Sequence, residues 1–185
     1  MNISKSITGT LGILQTCLDS KTVKRVVYTL SAATVVDHNK DLDLVDENVW
    51  TDVDYMSPSV NHDFAASYII AKMLTERADL EFAEKHSLDL LTVIPTWKTG
   101  PFICSSLPGS ASSSLAMIIG NKHVLKYTKI IAFVHTDDVV NAHIFLFKCP
   151  NAKGRYICSA VEITVDKLAK FLSMRYPEFQ IRNEE

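Results

Sequence analysis

Two residues with side chains suited to proton transfer stand four positions apart in this sequence. Tyr68 and Lys72 lie in SYIIAKMLTE, a segment with the apolar spacing of an amphipathic helix. Residues four apart share one helix face, so the phenol and the ammonium can meet. An ammonium beside a phenol favours the phenolate and lowers the pKa of such a phenol, which prepares it for proton exchange. By chance alone, a chain of this composition contains roughly 0.45 Tyr-x-x-x-Lys spacings, so the pair needs further support before it indicates a catalytic site.

Ser31 offers a third reactive group. It ends the β-branched run RVVYTLSAA, at the point where its hydroxyl would face a ligand. Ligands of parallel α/β sheets bind at the carboxyl ends of the strands. A serine hydroxyl there can donate a hydrogen bond to a substrate oxygen as negative charge develops on it. In a Ser–Tyr–Lys set of this kind, the tyrosine gives a proton to a substrate oxygen, or takes one from it, while a nicotinamide cofactor delivers hydride to the attached carbon or accepts hydride from it.

The flanking sequence predicts the elements that hold these groups. A helix over residues 6–20 leads into the strand of Ser31, and a polar loop from Asp37 to Asn61 leads into a helix from about Phe64 to His86. Trp50 in that loop is a candidate cover for a bound substrate. After the strand LDLLTVIPTW and the loop KTGPFICSSLPGS, we expect helices over 110–119, 137–148 and 165–175, with strands over IIAFVH and RYICS. This alternation predicts a parallel α/β sheet.

Composition narrows the classes of partner. The 185 residues include 47% hydrophobic residues and carry a net charge of −2 without a long basic run, so neither nucleic acid nor an anionic membrane is indicated and a small-molecule ligand is expected. The apolar runs are too short to span a membrane and no signal pattern opens the chain, which favours the cytoplasm. Four cysteines without C-x-x-C spacing favour reduced thiols.

Five segments of the chain can be compared with known proteins, and they are KRVVYTLSA, YIIAK, VIPTWKTGPF, FVHTDDVVNAHIFLF and GRYICSA. In order and with family-like separations, they resemble the extended short-chain dehydrogenase/reductases of the dihydroflavonol 4-reductase type. The resemblance runs from about Gly9 to Gln180. It implies an enzyme that uses NADPH to reduce a ring ketone of a flavonoid-like substrate, with NADP preferred to NAD only through the resemblance. The implied catalytic residues are Ser31, Tyr68 and Lys72. The implied cofactor contacts are Tyr68, Lys72, Pro95, Thr96, Trp97, Lys98 and Ser110.

The sequence departs from this family in one large respect. It has no glycine-rich turn after an opening strand, and its nearest candidate, Gly9-x-x-Gly12, continues to Gln15 where a third glycine would stand. The resemblance therefore implies an α/β fold that is the C-terminal part of a Rossmann-like NAD(P)-binding fold plus a small α/β substrate-binding region. Residues 1–100 would form an incomplete cofactor domain that carries the catalytic groups. Residues 101–185 would be mainly substrate-binding, with some elements returning to the cofactor domain.

Smaller departures concern the proposed site. Lys98 stands where the family usually has a small apolar residue, and Leu30 precedes Ser31 where the family usually has a second serine.

Without the first strands of the family's cofactor domain, the sheet would have exposed strand edges and apolar helix faces, which favours pairing with another chain. A second hypothesis is accordingly a catalytically silent fragment that at most binds a partner chain or a ligand. The oligomeric state stays open.

Two other chemistries receive less support from the residues. The segment HTDDVVNAH contains His135, Asp137, Asp138 and His143, which could ligate a metal. The same segment is better explained as a helix start capped by Thr136 or Asp137, with acids favoured by the helix dipole, so no metal is predicted. A serine hydrolase would need a G-x-S-x-G elbow, and PGSAS does not provide one.

Overall fold

The computed structural model describes residues 3–35, 44–56, 64–121, 129–179 and 181. Its residues divide into two compact units, which are Met1–Ile94 with Ala142–Ile157 and Pro95–Asn141 with Cys158–Glu185. The described elements, in chain order, are α1 Ile3–Ser20, β1 Val26–Thr29, a 3-10 turn Ala32–Thr34, α2 Val53–Met56, α3 Phe64–His86, β2 Leu90–Pro95, β3 Trp97–Thr99, α4 Gly109–Ser114, α5 Ala116–Ile119, β4 Ile130–His135, α6 Thr136–Lys148, β5 Gly154–Cys158, β6 Val161–Thr164 and α7 Val165–Arg175.

The first unit has a sheet in the order β1-β2-β5. Strands β1 and β2 run parallel, with Val26 beside Leu90 and Thr29 beside Val93. All six residues of β2 are buried, which suits its β-branched composition, and the strand ends at Pro95 because proline has no N–H for a ladder. This parallel sheet with flanking helices confirms the predicted fold class.

Helix α3 has the bounds that the sequence predicts. It ends where Ser87 takes a positive φ of 54°, and the N–H of Leu88 turns back to the carbonyl of Ala83 at 2.9 Å. This bond satisfies a carbonyl that the helix end would otherwise leave unpaired. Lys85 and His86 stand in the last turn, where a positive side chain is favoured by the helix dipole.

The second unit differs from the predicted elements. Its sheet has the order β3-β4-β6, and the sequence predicts neither β3 nor β6. The sequence gives no period over three or four residues, so these strands depend on pairing, β3 parallel to β4 and β6 antiparallel to it. The predicted helix over 110–119 is two short helices, which meet at Leu115. The expected loop from Asp37 to Asn61 contains α2, and its residues 37–43 and 57–61 lie outside the described part.

Each unit has its own apolar core. In the first, α1 packs on α3, where Leu14, Ala83 and Leu90 form one buried cluster. In the second, α5 and α7 supply a cluster of Met117, Ala169 and Leu172. Among the described residues, no helix combines the length and the apolar character needed to cross a bilayer.

One charged residue in the first unit is buried without a clear partner. Asp79 on α3 is only 1% exposed, and among the described residues neither of its carboxylate oxygens has a hydrogen-bond partner. The nearby Thr10 hydroxyl lowers its pKa slightly, but that hydroxyl is directed to the carbonyls of Ser6 and Ile7. Burial dominates and raises the pKa of Asp79 from 3.8 to about 6.

We expect Asp79→Asn to raise the free energy of unfolding at pH 8 by about 1 to 3 kcal/mol. The pKa is higher in the folded state, so this site favours folding most below pH 3.8, and its contribution is lost as the pH rises through about 6. About two pKa units at 1.36 kcal/mol each set the upper figure, and the buried amide keeps part of the desolvation cost. Urea unfolding from pH 3.5 to 8 measures the effect. The control is Glu81→Gln on the exposed side of the same helix, and an unchanged pH slope in Asp79→Asn would contradict the assignment.

Candidate active site

Tyr68 and Lys72 meet on α3 as their spacing predicts. The Lys72 Nζ lies 5.8 Å from the centroid of the Tyr68 ring, and both side chains are half-buried. Among the described residues, no carboxylate forms an ion pair with Lys72. The Lys72 ammonium thus lies at cation–π distance from the Tyr68 ring.

Ser31 follows β1 and caps the 3-10 turn. Its backbone is extended, with φ −158° and ψ 147°, and its Oγ accepts the N–H of Ala33 at 3.3 Å. A hydroxyl that accepts one bond retains its own proton for donation. The capped turn packs against α3, the helix that carries Tyr68 and Lys72. All three predicted catalytic residues thus belong to the first unit, on two elements that contact each other.

The remaining predicted cofactor contacts belong to the second unit. Pro95 ends β2, and the N–H of Thr96 donates to the carbonyl of Cys158 at 3.1 Å. Trp97 and Lys98 lie on β3, beside Phe133 and Val134 of β4. The sequence predicts Lys98 in a loop, so that prediction is wrong.

Ser110 and Lys98 are linked through one hydroxyl of α4. The Ser114 Oγ lies 2.9 Å from the carbonyl oxygen of Ser110 and 3.2 Å from that of Lys98. This contact ties the β3 backbone to the helix that carries Ser110, so the two predicted cofactor positions hold a fixed relation within the second unit.

A further set of ionisable groups extends along α3 beyond Lys72. Glu76 and Asp79 continue its spacing, and both are buried. Tyr28 of β1 lies near this face. Burial raises the pKa of Tyr28, and the nearby carboxyl groups of Asp79 and Glu76 raise it further. Sequence reasoning missed these residues, although spacings of four, eight and eleven from Tyr68 could have indicated them.

The two histidines that were considered as metal ligands form hydrogen bonds with other protein groups. The His135 Nδ1 accepts the N–H of Asp137 at 3.2 Å, so the imidazole caps the start of α6, a role that the sequence assigns to Thr136 or Asp137. His143 lies instead in the first unit, with its Nε2 2.7 Å from the Thr29 Oγ1. Within the described ranges, no three His, Cys, Asp or Glu side chains gather as metal ligands would. The four cysteines are free thiols.

Known proteins of similar sequence bear on this arrangement. The sequence profile of the NAD dependent epimerase/dehydratase family matches residues 2–158. The chain belongs to that family. It is 44% identical over 183 residues to a noscapine synthase of Papaver somniferum, with 97% of this chain and 53% of that protein covered. It is 40% identical over 179 residues to a dihydroflavonol 4-reductase of Zea mays, with 97% and 50% covered.

A solved structure supports the same assignment. Vestitone reductase of Medicago sativa is similar to this chain with a TM-score of 0.84 and 39% identity, over 97% of this chain and 57% of that chain. The predicted resemblance to reductases of the dihydroflavonol 4-reductase type is confirmed. The chain spans about half the length of the curated relatives it matches.

A nicotinamide cofactor is implied by the family, and the residues present fit one end of it. The half-buried Lys72 ammonium beside Tyr68 is a donor suited to ribose hydroxyls. The pyrophosphate end has no counterpart at Gly9 and Gly12, because both glycines lie inside α1 rather than in a turn before a helix. The predicted helix over this stretch is confirmed.

The loop after β3 depends on one glycine. Gly100 has a φ of 123°, and a Cβ at this position would stand 2.6 Å from both the His135 Nε2 and the Thr136 Oγ1. We expect Gly100→Ala to destabilise the second unit by more than about 1 kcal/mol, because it combines backbone strain with a clash. Gly109→Ala is the matched control, since a Cβ added at Gly109 would meet no atom within 4 Å. Equal unfolding midpoints for the two variants would refute the expectation.

Proposed function

We propose that this chain carries the catalytic part of an NADP-dependent reductase that converts a ring ketone of a flavonoid-like molecule to an alcohol. The observation that supports this best is the Lys72 ammonium 5.8 Å from the Tyr68 ring centroid, on a helix packed against the turn that Ser31 caps. NADP is preferred to NAD through the resemblance to dihydroflavonol 4-reductases. The named reductases among the relatives support the substrate class.

Ser31, Tyr68 and Lys72 have different tasks in this reaction. The bound nicotinamide supplies hydride to the carbonyl carbon. As the C=O bond becomes a single bond, its oxygen gains negative charge, and the Ser31 hydroxyl stabilises that charge by donating a hydrogen bond. The Tyr68 phenol gives its proton to this oxygen and is left as phenolate. Lys72 stabilises that phenolate by its positive charge and can also donate to the ribose hydroxyls of the cofactor.

The resemblance assigns further nicotinamide contacts to residues of the second unit. These positions are Pro95, Thr96, Trp97, Lys98 and Ser110. A cation at Lys98 near a nicotinamide would favour the reduced, uncharged ring over the oxidised, cationic one.

Cofactor binding is the first test. We expect the purified 185-residue chain to bind NADPH with a Kd below about 100 μM, which is roughly −5.5 kcal/mol. Fluorescence of the reduced nicotinamide measures it, and NADH serves as the comparison. Lys72→Met should weaken binding through loss of the donor, whereas Lys85→Met at the far end of the same helix should not. If the wild-type chain binds neither NADPH nor NADH, the silent-fragment hypothesis is favoured.

Turnover tests the acid. With NADPH and a dihydroflavonol or an isoflavanone, Tyr68→Phe should lower turnover at least about 100-fold, in line with loss of a positioned proton donor. Tyr176→Phe on the exposed surface is the matched control and should leave turnover unchanged. Turnover by Tyr68→Phe equal to the wild type would remove Tyr68 from the mechanism.

A second candidate function is binding of a partner chain, and one surface favours it. Helix α6 buries Val139 and Leu146 but exposes Val140, Ile144 and Phe147 on its other side. In the described sheet, β1 is an edge strand with only β2 beside it. An apolar face next to a strand edge suits another strand with its helix, and the relatives have about half a chain more than this one.

We expect this chain to bind a separately produced N-terminal half of Medicago sativa vestitone reductase. Such a partner would add strands at β1 and cover the exposed side of α6. Ile144→Glu with Phe147→Glu should abolish co-elution in size-exclusion chromatography. Phe171→Glu with Met174→Glu on the exposed side of α7 is the matched control. Co-elution that survives in the α6 variant would exclude this surface.

A further inference from the structure

A single buried guanidinium, that of Arg155 on β5, uses all of its hydrogen-bond donors. Its Nε and one terminal nitrogen donate to the two carboxylate oxygens of Glu76, at 2.9 and 3.1 Å. Its other terminal nitrogen donates to the carbonyls of Glu47 and Val49, at 2.6 and 2.9 Å. A fifth bond reaches the Thr34 hydroxyl at 3.3 Å. The five N–H groups of an arginine thus have five acceptors, from three separate segments.

One of these segments is the helix of the proposed acid. Glu76 stands one turn beyond Lys72 on α3, and its side chain is fully buried while that of Arg155 is 7% exposed. The Thr92 hydroxyl of β2 donates to the same carboxylate at 3.1 Å. The rotation of α3 over the sheet is therefore fixed at Glu76, and the direction in which Tyr68 and Lys72 project is fixed with it.

Another segment leads directly to Ser31. The Thr34 hydroxyl that accepts from Arg155 donates in turn to the carbonyl of Ser31 at 3.1 Å. The Thr51 hydroxyl bonds the carbonyl of Ala33 at 2.8 Å, and the Thr51 N–H bonds that of Thr34 at 2.9 Å. The turn that Ser31 caps is thus held from both sides, by the guanidinium and by the segment around Thr51.

The third segment is held through its aromatic residue as well. The Arg155 guanidinium carbon lies 3.6 Å from the centroid of the Trp50 ring, and that of Arg77 lies 5.0 Å from it. The Glu47 carboxylate accepts the N–H of Ile157 at 3.0 Å. Trp50 is thereby packed between charged groups of the first unit, an arrangement that fixes its loop in place.

We propose that Arg155 is a positioning residue, which sets the spacing between the Ser31 turn and the Tyr68 helix. The inference rests on the proposed function, because it assigns Arg155 to the same three catalytic groups. Arg155 touches neither substrate nor cofactor in this role. It acts through Thr34 on one side and through Glu76 on the other. A lysine cannot replace it, since an ammonium has three donors and no planar fork.

The test compares Arg155→Lys with Arg25→Lys in the 185-residue chain. Arg25 is the matched control, because it also pairs with a carboxylate, that of Asp89, and donates to the carbonyls of Leu146 and Pro150 in the same unit. Its contacts involve neither the Ser31 turn nor the Glu76 carboxylate. If the role of Arg155 were purely structural, the two variants would have the same hydrogen exchange and the same kcat once their global stabilities are taken into account.

Hydrogen exchange provides the readout that does not depend on activity. The amides of Thr34 and Thr51 close the bonds that hold the Ser31 turn. In Arg155→Lys they should exchange at least about tenfold faster than in Arg25→Lys, at equal global stability. Equal exchange in the two variants overturns the proposal, whether or not the chain turns over a ketone.

Kinetics provides the second readout. In Arg155→Lys, kcat for NADPH-dependent ketone reduction should fall about 100-fold with KM within a few-fold, the pattern of misplaced catalytic groups. Arg25→Lys should retain kcat. If Arg155→Lys does not fold, Glu76→Gln replaces it, because this change keeps the shape of the side chain and removes its charge. If Glu76→Gln keeps the kcat of the unmodified chain, the proposal is overturned. If the unmodified chain itself shows no turnover, the proposed function is wrong, and hydrogen exchange alone decides the role of Arg155.

Discussion

The first unit is built around one face of α3 that carries ionisable side chains into the interior. Tyr68, Lys72, Glu76 and Asp79 follow one another at intervals of three or four residues, and Glu76 and Asp79 are fully buried. Burying a charge is unfavourable unless it is paired or neutralised. Each group meets this constraint differently. Lys72 lies beside the Tyr68 ring, Glu76 pairs with an arginine, and the Asp79 carboxyl has its pKa raised to about 6.

The need to pair or neutralise these buried groups explains two polar side chains on the neighbouring strands. Thr92 on β2 donates a further hydrogen bond to Glu76, which an apolar β-branched residue could not make. Tyr28 on β1 brings a phenol to the same face, and burial with the nearby negative charges raises its pKa, so it stays neutral. The polar groups along α3 and the strands beneath it therefore form one connected set.

How far the sequence predicts this arrangement depends on the range of each interaction. The bounds of α3 and the Tyr68 and Lys72 contact follow from spacing alone, because helix geometry is local. For Ser31 the sequence leaves open whether its hydroxyl bonds the backbone or faces a ligand. The Oγ accepts an amide and keeps its proton for donation. The pairing of Glu76 with Arg155 joins residues 79 positions apart, and no local pattern encodes it. Strands β3 and β6 are missed for a similar reason, since three or four residues become a strand only when a partner is beside them.

The same contacts bear on what a chain of half the relatives' length can contain. The groups assigned to proton transfer and the residues that hold them all lie in the first unit, from the Ser31 turn to Arg155 on β5. None of the contacts that fix these groups requires a glycine-rich turn. Binding of the cofactor pyrophosphate, in contrast, requires backbone N–H groups at a helix start, and α1 offers its two glycines from a helix interior. The geometry of the acid and the affinity for the cofactor are therefore separable properties.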